Sequence, residues 1–327
     1  SVWVGDHYLY RDASGARGPW EAWTQLAAIA AVTTRVELGP LVASTSFHEP
    51  GVLAKMALTV DEISGGRLIL GLGAGWNETE YAAFGFPFDH RISRFEEAFT
   101  VIRTLLRSGC IDFEGHYYTL RDCELLPRGP RPQGPPLLIG SSGPRMLRIT
   151  MPHADAWNAW YLDTGNSPVG VHRQRDLVDA ACREVGRDPT QVERTVAVFL
   201  RLPDAEHQRI SEVPPLEGTP EEMAAILRAY ADEGIGHVQL VIDPVTPAGL
   251  DPVTSQRIFE LLREEQREAG ATVLMVSSDL DRMLSVTDRV GMLYQGMLIF
   301  DGTTEEANAS TDPMVRQFVH GLTDGPL

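Results

Sequence analysis

The chain alternates short apolar runs rich in β-branched residues with longer stretches whose apolar positions recur at helical spacing. The short runs predict strands over Val2–Gly5, Val36–Ala43, Arg67–Gly71, Pro136–Gly140, Ala156–Tyr161, Thr195–Leu200 and His237–Ile242. The longer stretches predict helices over Trp20–Val32, Gly51–Ile63, Ser93–Arg107, Pro144–Met151, Val169–Val185 and Pro220–Glu233. Thr219-Pro220-Glu221-Glu222 has the form of a helix start: a capping residue, proline at the first helical position, then acids in the first turn. Strands alternating with helices imply βαβ units and a parallel sheet. With no dinucleotide fingerprint at the start, the order favours a (β/α) barrel over a doubly wound sheet.

Two stretches break this rhythm. Between Gly109 and Pro135 the run Ile111–Thr119 reads as a hairpin and Arg128–Pro136 as a Pro/Gly-rich connector, an insertion between barrel strands suited to a lid. Past Gly249 a charged helix over Ser255–Ala269, a strand over Ala271–Ser277 and a helix over Leu280–Ser285 are expected. A hairpin of Val290–Tyr294 with Met297–Asp301 and a last helix from Asp312-Pro313 follow. The texture divides the chain into a barrel domain, residues 1–248, and an α/β appendage, residues 249–327.

Composition narrows the function. The 327 residues are 43% hydrophobic and 22% charged, enough apolar content for a packed core. A formal charge of −17 excludes a general nucleic-acid binder, which needs a basic face, but leaves room for a local seat for one phosphate. Cys110, Cys123 and Cys182 lack metal-ligand spacing and read as buried, inert thiols, with no metal site expected. No apolar run is long enough to span a bilayer and no signal peptide opens the chain, so a cytoplasmic location is expected. The chain begins directly in the strand-like Ser1-Val2-Trp3-Val4 and reads as truncated at its amino end.

In a parallel barrel the reactive groups follow the strands on one rim. Those positions hold Asp6 and His7, Ser44 and Thr45, then Gly73, Gly75, Trp76 and Asn77. Gly140–Arg145 follows the fourth strand, Asn158 and Trp160 the fifth, and Asp243 the last. Gly140-Ser141-Ser142-Gly143 ahead of Pro144 offers free amides and a helix start to an anion, with Arg145 or Arg148 adding charge; the same run also fits a plain glycine-rich turn. Asp6-His7 is a titratable pair suited to proton transfer, with a buried hydrogen-bonded histidine as the structural alternative. His48 is a weaker second candidate. Trp76 and Trp160 are candidate substrate contacts, or core aromatics.

The motifs around these positions resemble one family. Ser-Val-Trp-Val-Gly-Asp-His at 1–7, Thr34–Gly39, Asp61–Arg67 followed by Leu70–Trp76, Leu138–Gly143 and His153–Asn158 are similar to the bacterial luciferase-like monooxygenases, over roughly residues 1 to 250. The resemblance implies a TIM barrel, (β/α)8 in the family, that binds FMN or the deazaflavin coenzyme F-420. It implies ring contacts at Asp6, His7, Ala43, Ser44 and Asn77, and phosphate contacts at Gly140–Gly143. Deazaflavin members often carry a catalytic acid at the place near Ala74, and here that acid is absent. The family's first strand and helix are also missing, and a barrel short of a strand has unpaired edges.

The tail resembles a different protein. Gly249–Thr254, Thr272–Asp279 and Asp312–Pro326 are similar to the carboxy-terminal piece of an ABC-transporter ATPase of the lipid-trafficking type. The switch histidine expected before Asp279 is Ser278, and the only lysine, Lys55, follows Ala54 rather than glycine, so ATPase activity is not expected. Ala271–Ser277 is expected to fill the empty first-strand slot of the barrel. The family resemblance implies an oxidoreductase using reduced FMN from a partner flavin reductase to insert oxygen into a small organic substrate, with His7 as proton donor or acceptor. A deazaflavin hydride-transfer enzyme and a non-catalytic truncated barrel are the alternatives. No nucleic-acid or membrane partner is expected, and a homodimer is common in the family.

Overall fold

The computed structural model describes residues 1–12, 15–201, 211–243, 289–294 and 297–319. It divides into two compact units. The first comprises Ser1–Leu200, Ser211–Leu216 and Glu221–Val241; the second comprises Arg201–Ile210, Glu217–Pro220 and Ile242–Leu327.

The first unit opens with β1 (Val2–Val4), a hairpin of β2 (Tyr10–Asp12) and β3 (Gly15–Arg17), α1 (Ala22–Val32), β4 (Leu38–Pro40) and β5 (Ala43–Ser44). Then come α2 (Pro50–Ser64), β6 (Leu70–Gly73), α3 (Glu78–Phe84), α4 (Arg91–Ser108) and the hairpin β7 (Cys110–Glu114) and β8 (Thr119–Glu124). β9 (Leu137–Ile139), α5 (Pro144–Thr150), β10 (Ala156–Ala159), α6 (Pro168–Glu184), β11 (Glu193–Arg201), α7 (Pro220–Asp232) and β12 (His237–Asp243) complete the alternation.

β1 pairs in parallel with β4. A six-stranded sheet runs β12-β11-β10-β9-β6-β5, and a parallel bridge between Leu38 and Leu68 joins β4 to the segment entering β6. Strands and helices therefore alternate around a parallel (β/α) barrel, as expected. Among the described residues seven strand positions are filled, and the first and last approach each other: Ser1 Oγ lies 2.7 Å from His237 Nε2, and the Trp3 ring meets His237 edge-on at 5.9 Å. Ala271–Ser277, expected in the remaining slot, and Ser255–Ala269 lie outside the described residues.

Local chemistry sets the elements. Pro50 opens α2 and Gly65, at φ 67°, closes it in the left-handed region that glycine adopts without strain. Glu21 caps α1 by accepting the amides of Trp23 and Thr24. At the other end of α1 the Arg67 guanidinium donates to the carbonyls of Ala30 and Thr33, at 3.0 and 2.6 Å, in place of a basic residue in the helix itself. Lys55, the single lysine, donates to the Leu126 carbonyl. The core lies between strands and helices, where Leu26, Leu53, Leu70, Phe95, Ile139 and Trp157 are wholly buried.

Three expectations need correction. The run Val36–Ala43 is not one strand: β4 stops at Pro40, the Leu41–Val42 peptide is cis, and β5 resumes at Ala43. The β2–β3 hairpin and α3 were not anticipated, because both are short and carry polar residues where the pattern needs apolar ones. Cys182 is buried, and burial pushes its thiol pKa up, but Cys110 is exposed and Cys123 is only partly buried.

In the second unit, β13 (Arg289–Tyr294) pairs antiparallel with β14 (Met297–Thr303) in the expected hairpin. α8 (Thr304–Asn308) starts with a capping box of Thr303 and Glu306, and α9 (Pro313–Val319) starts at the expected Asp312-Pro313. Met292, Ala307, Val315 and Val319 form its small core. The runs Gly249–Thr254 and Thr272–Asp279, expected to resemble an ABC-transporter ATPase, lie outside the described residues. Among the described residues no helix is long and apolar enough to cross a membrane.

Candidate active site

Asp6 and His7, adjacent in sequence after β1, turn to different partners. Asp6 is 2% exposed. Its Oδ2 accepts the Ser44 amide and His48 Nε2, each at 3.0 Å, and its buried Oδ1 has no hydrogen-bond partner among the described residues. His7 Nδ1 lies 2.7 Å from Oε1 of the buried Glu80, whose Oε2 accepts the amides of Tyr8 at 2.9 Å and Leu9 at 3.3 Å. Glu80 thus ties the loop after β1 to the helix after β6. The sequence gives no sign of this role. Asn77 and Glu80, at the cap and third positions of α3, look like an ordinary capping pair. Instead the Glu80 carboxylate serves the neighbouring loop, and Asn77 Nδ2 donates to the Leu9 carbonyl at 2.9 Å.

Ser44 and Ala43 lie buried in β5. The Tyr81 hydroxyl donates to the Ala74 carbonyl at 2.9 Å and therefore accepts from Ser44 Oγ at 2.8 Å. Gly75, at φ 73°, passes so close to both hydroxyls that a Cβ would collide with them. Burial raises the Tyr81 phenol pKa. Tyr8 packs on Phe47 at 5.2 Å and Phe84 at 5.0 Å. Burial, reinforced by the negative charges of Asp6, Glu21 and Glu80, pushes its phenol up to about 12. The His7 ring lies 4.8 Å from Tyr10 and 5.7 Å from Trp76, which is 64% exposed.

The glycine-rich run after β9 reaches the same rim through Val42. A Cβ on Gly73 would meet Val42 Cγ2 at 2.7 Å, and one on Gly140 would meet Cγ1 at 2.9 Å. Ser141 accepts Trp157 Nε1 on its carbonyl at 2.9 Å, Ser142 is half-buried, and Gly143 is exposed, where a Cβ would meet only Ser141 Oγ at 3.9 Å. Arg145 turns to α4, where its Nη2 donates to Ser93 Oγ at 3.1 Å and Glu96 Oε2 at 2.7 Å. Ser93 and Glu96 line a groove of about 420 Å³ between α4 and the β7–β8 hairpin.

The structure therefore brings Asp6, His7, Ser44, Asn77 and Trp76 together. It places Gly140 across Val42 from Gly73. Trp160 stands in a separate aromatic group, 4.7 Å from Tyr161, whose ring lies tilted at 5.3 Å from Phe199. Asn158 lies in the barrel interior, where its Nδ2 donates to Thr195 at 2.8 Å and Gln239 at 2.9 Å.

The profile of luciferase-like monooxygenases matches residues 1–233. The chain belongs to the luciferase-like monooxygenase family. Within this family of oxidoreductases the chain is 31% identical over 221 residues to the F420-dependent glucose-6-phosphate dehydrogenase of Amycolatopsis mediterranei, covering 65% of this chain and 63% of that protein. It is 35% identical over 175 residues to the pyrimidine monooxygenase RutA of Cronobacter sakazakii, covering 51% of this chain and 50% of that one. The chain spans about half to two thirds of the length of these relatives. Among solved structures, the monooxygenase RslO1 of Streptomyces bottropensis matches with a TM-score of 0.67 at 22% identity, over 83% of this chain and 88% of that one. An F420-dependent secondary alcohol dehydrogenase matches with a TM-score of 0.63 at 20% identity, over 74% and 84%. Both establish the luciferase-like barrel. The family match ends before residue 249, and none of these similarities supports the ATPase resemblance expected of the tail.

Proposed function

We propose that the chain is a flavin-dependent monooxygenase that takes reduced FMN from a partner flavin reductase and inserts oxygen into a small organic substrate. The observation that carries the reading is the His7–Glu80 pair on the barrel rim, beside the exposed Trp76 and the unpartnered Asp6 Oδ1. The residues fit such a cofactor. Asp6 Oδ1 is a desolvated acceptor suited to a ring N–H, and the exposed Gly143 leaves room for a phosphate beside backbone amides. Reduced flavin, when bound, supplies the electrons that activate oxygen.

The chain's own groups have separable tasks. Glu80, held by two amides, accepts His7 Nδ1–H and so leaves Nε2 to give or take a proton. Ser44 and Ala43 shape the floor of the ring site, and Asn77 holds the Leu9 loop against it. Gly140, Ser141, Ser142 and Gly143 receive the phosphate. Arg145 adds charge from its bridge to Glu96. Trp76 covers the substrate beside His7, and Trp160 is the second substrate contact proposed, from its own aromatic group with Tyr161. The setting is cytoplasmic, the barrel domain spans residues 1–248, and a homodimer is the assembly that family habit favours. The tail, residues 249–327, is an α/β appendage for which no ATPase activity is proposed.

A second reading has one observation in its favour, the similarity to an F420-dependent dehydrogenase. It makes the chain a deazaflavin hydride-transfer enzyme, but Ala74 stands where many such enzymes carry their acid. Binding titrations with FMN and F420 decide between the two. Tighter FMN binding, with reductase-dependent oxygen uptake on uracil or another small heterocycle, supports the first; tighter F420 binding, with glucose 6-phosphate oxidation, supports the second. Binding of neither cofactor leaves the non-catalytic barrel.

A further inference from the structure

His48 has no task in the reading above. It follows the short turn Thr45–Phe47 after β5, and its side chain is 8% exposed. Its Nε2 is 3.0 Å from Asp6 Oδ2. A carboxylate only accepts, so Nε2 carries the proton. The Ser44 amide donates to the same oxygen at 3.0 Å, so two donors converge on Oδ2 while the buried Oδ1 has no partner among the described residues. The rings of Trp23, at 6.4 Å and 87°, and Phe47, at 6.5 Å and 68°, stand edge-on to the imidazole and limit its rotation.

We infer that His48 is a positioning residue: it locks the Asp6 carboxylate so that Oδ1 alone faces the ligand's donor, which makes the site selective for a ring bearing an imide N–H. The inference rests on the flavin reading. With His48 in place, a ring without that N–H leaves Oδ1 desolvated and unpaired, a cost that discriminates strongly between otherwise similar ligands. Without it the carboxylate is free to turn away from the ring, so neither oxygen is held unpaired against a ligand that lacks the N–H.

The test uses FMN and its N3-methyl derivative, titrated by flavin fluorescence quenching and by the shift of the visible band. The full chain is compared with His48→Gln, His48→Leu and Asp6→Asn. The unmodified chain is expected to prefer FMN by at least about tenfold. His48→Leu reduces the preference to within about threefold, His48→Gln restores it through its amide donor, and Asp6→Asn abolishes it. Should His48→Leu fail to fold, His48→Asn, whose shorter amide stops short of Asp6, takes its place. A full preference in His48→Leu, or no preference in a chain that binds FMN well, overturns the inference while leaving the flavin reading intact. Failure of the unmodified chain to bind either FMN or F420 overturns both.

Discussion

His7 and Glu80 stand 73 residues apart in sequence and 2.7 Å apart in space, and Glu80 is almost wholly buried. The pair joins the loop after β1 to α3, so one carboxylate sets both the tautomer of the imidazole and the path of the backbone that carries it. Glu80→Gln keeps the shape and removes the charge. Turnover is expected to fall by about 100-fold with FMN affinity within about threefold of the parent, since the loss falls on proton transfer. Glu80→Ala also strands the Tyr8 and Leu9 amides and is expected to cost about 2–4 kcal/mol in urea unfolding. Steady-state kinetics, flavin titration and urea melts on the two variants separate these effects.

The order of barrel strands and helices was legible because burial on both sides of a parallel sheet forces apolar runs, as in Leu137–Ile139 and Val196–Phe199. The rim was legible for the same reason: Asp6, His7, Ser44 and Asn77 interrupt those runs. Their partners were not. Glu80 sits among the acids of a short polar helix, where first-turn glutamates have a local explanation. His48 lies 42 residues from the aspartate it meets, and only the three-dimensional path of β5 makes that meeting visible. The break between β4 and β5 was hidden because Leu41 and Val42 are apolar and continue the strand pattern across a turn.

Val42 ties the two glycine-rich segments of the rim. A methyl on Gly73 would stand 2.7 Å from Val42 Cγ2, and one on Gly140 would stand 2.9 Å from Cγ1. Gly73→Ala and Gly140→Ala are each expected to destabilise the fold by about 1–3 kcal/mol and to weaken flavin binding by displacing Val42. Val42→Ala opens space for either methyl. The double variants Val42→Ala/Gly73→Ala and Val42→Ala/Gly140→Ala are expected to recover at least about 1 kcal/mol relative to additivity, read from double-mutant cycles of urea unfolding.

Tyr8 gives the fold an alkaline limit. Its phenol titrates near 10 when unfolded and about 12 in place, with burial as the main cause. Between these values the unfolded chain has released the proton and the folded chain still holds it. Stability is therefore undiminished below about pH 10 and falls as pH rises toward 12. Tyr8→Phe keeps the ring against Phe47 and Phe84 and removes the titration. Melting temperatures measured across this window are expected to fall less steeply in Tyr8→Phe than in the parent; parallel slopes would show that Tyr8 ionises as freely folded as unfolded.

A charge pair anchors the connector between the β7–β8 hairpin and β9. Asp61, wholly buried in α2, accepts Arg131 Nε at 3.0 Å and Nη2 at 2.5 Å, as well as the Leu68 amide at 3.3 Å. Arg131 also donates to the Leu68 carbonyl at 2.5 Å, so one guanidinium binds the connector to both α2 and the entry of β6. Removing the arginine leaves a buried carboxylate uncompensated, which is costlier than removing both partners. Arg131→Ala is expected to lose about 3–5 kcal/mol, and Asp61→Asn/Arg131→Met less than either single change to alanine. Urea unfolding of the variants decides the matter: an Arg131→Ala loss below about 1 kcal/mol would mean that water reaches Asp61 and screens the pair like an exposed one.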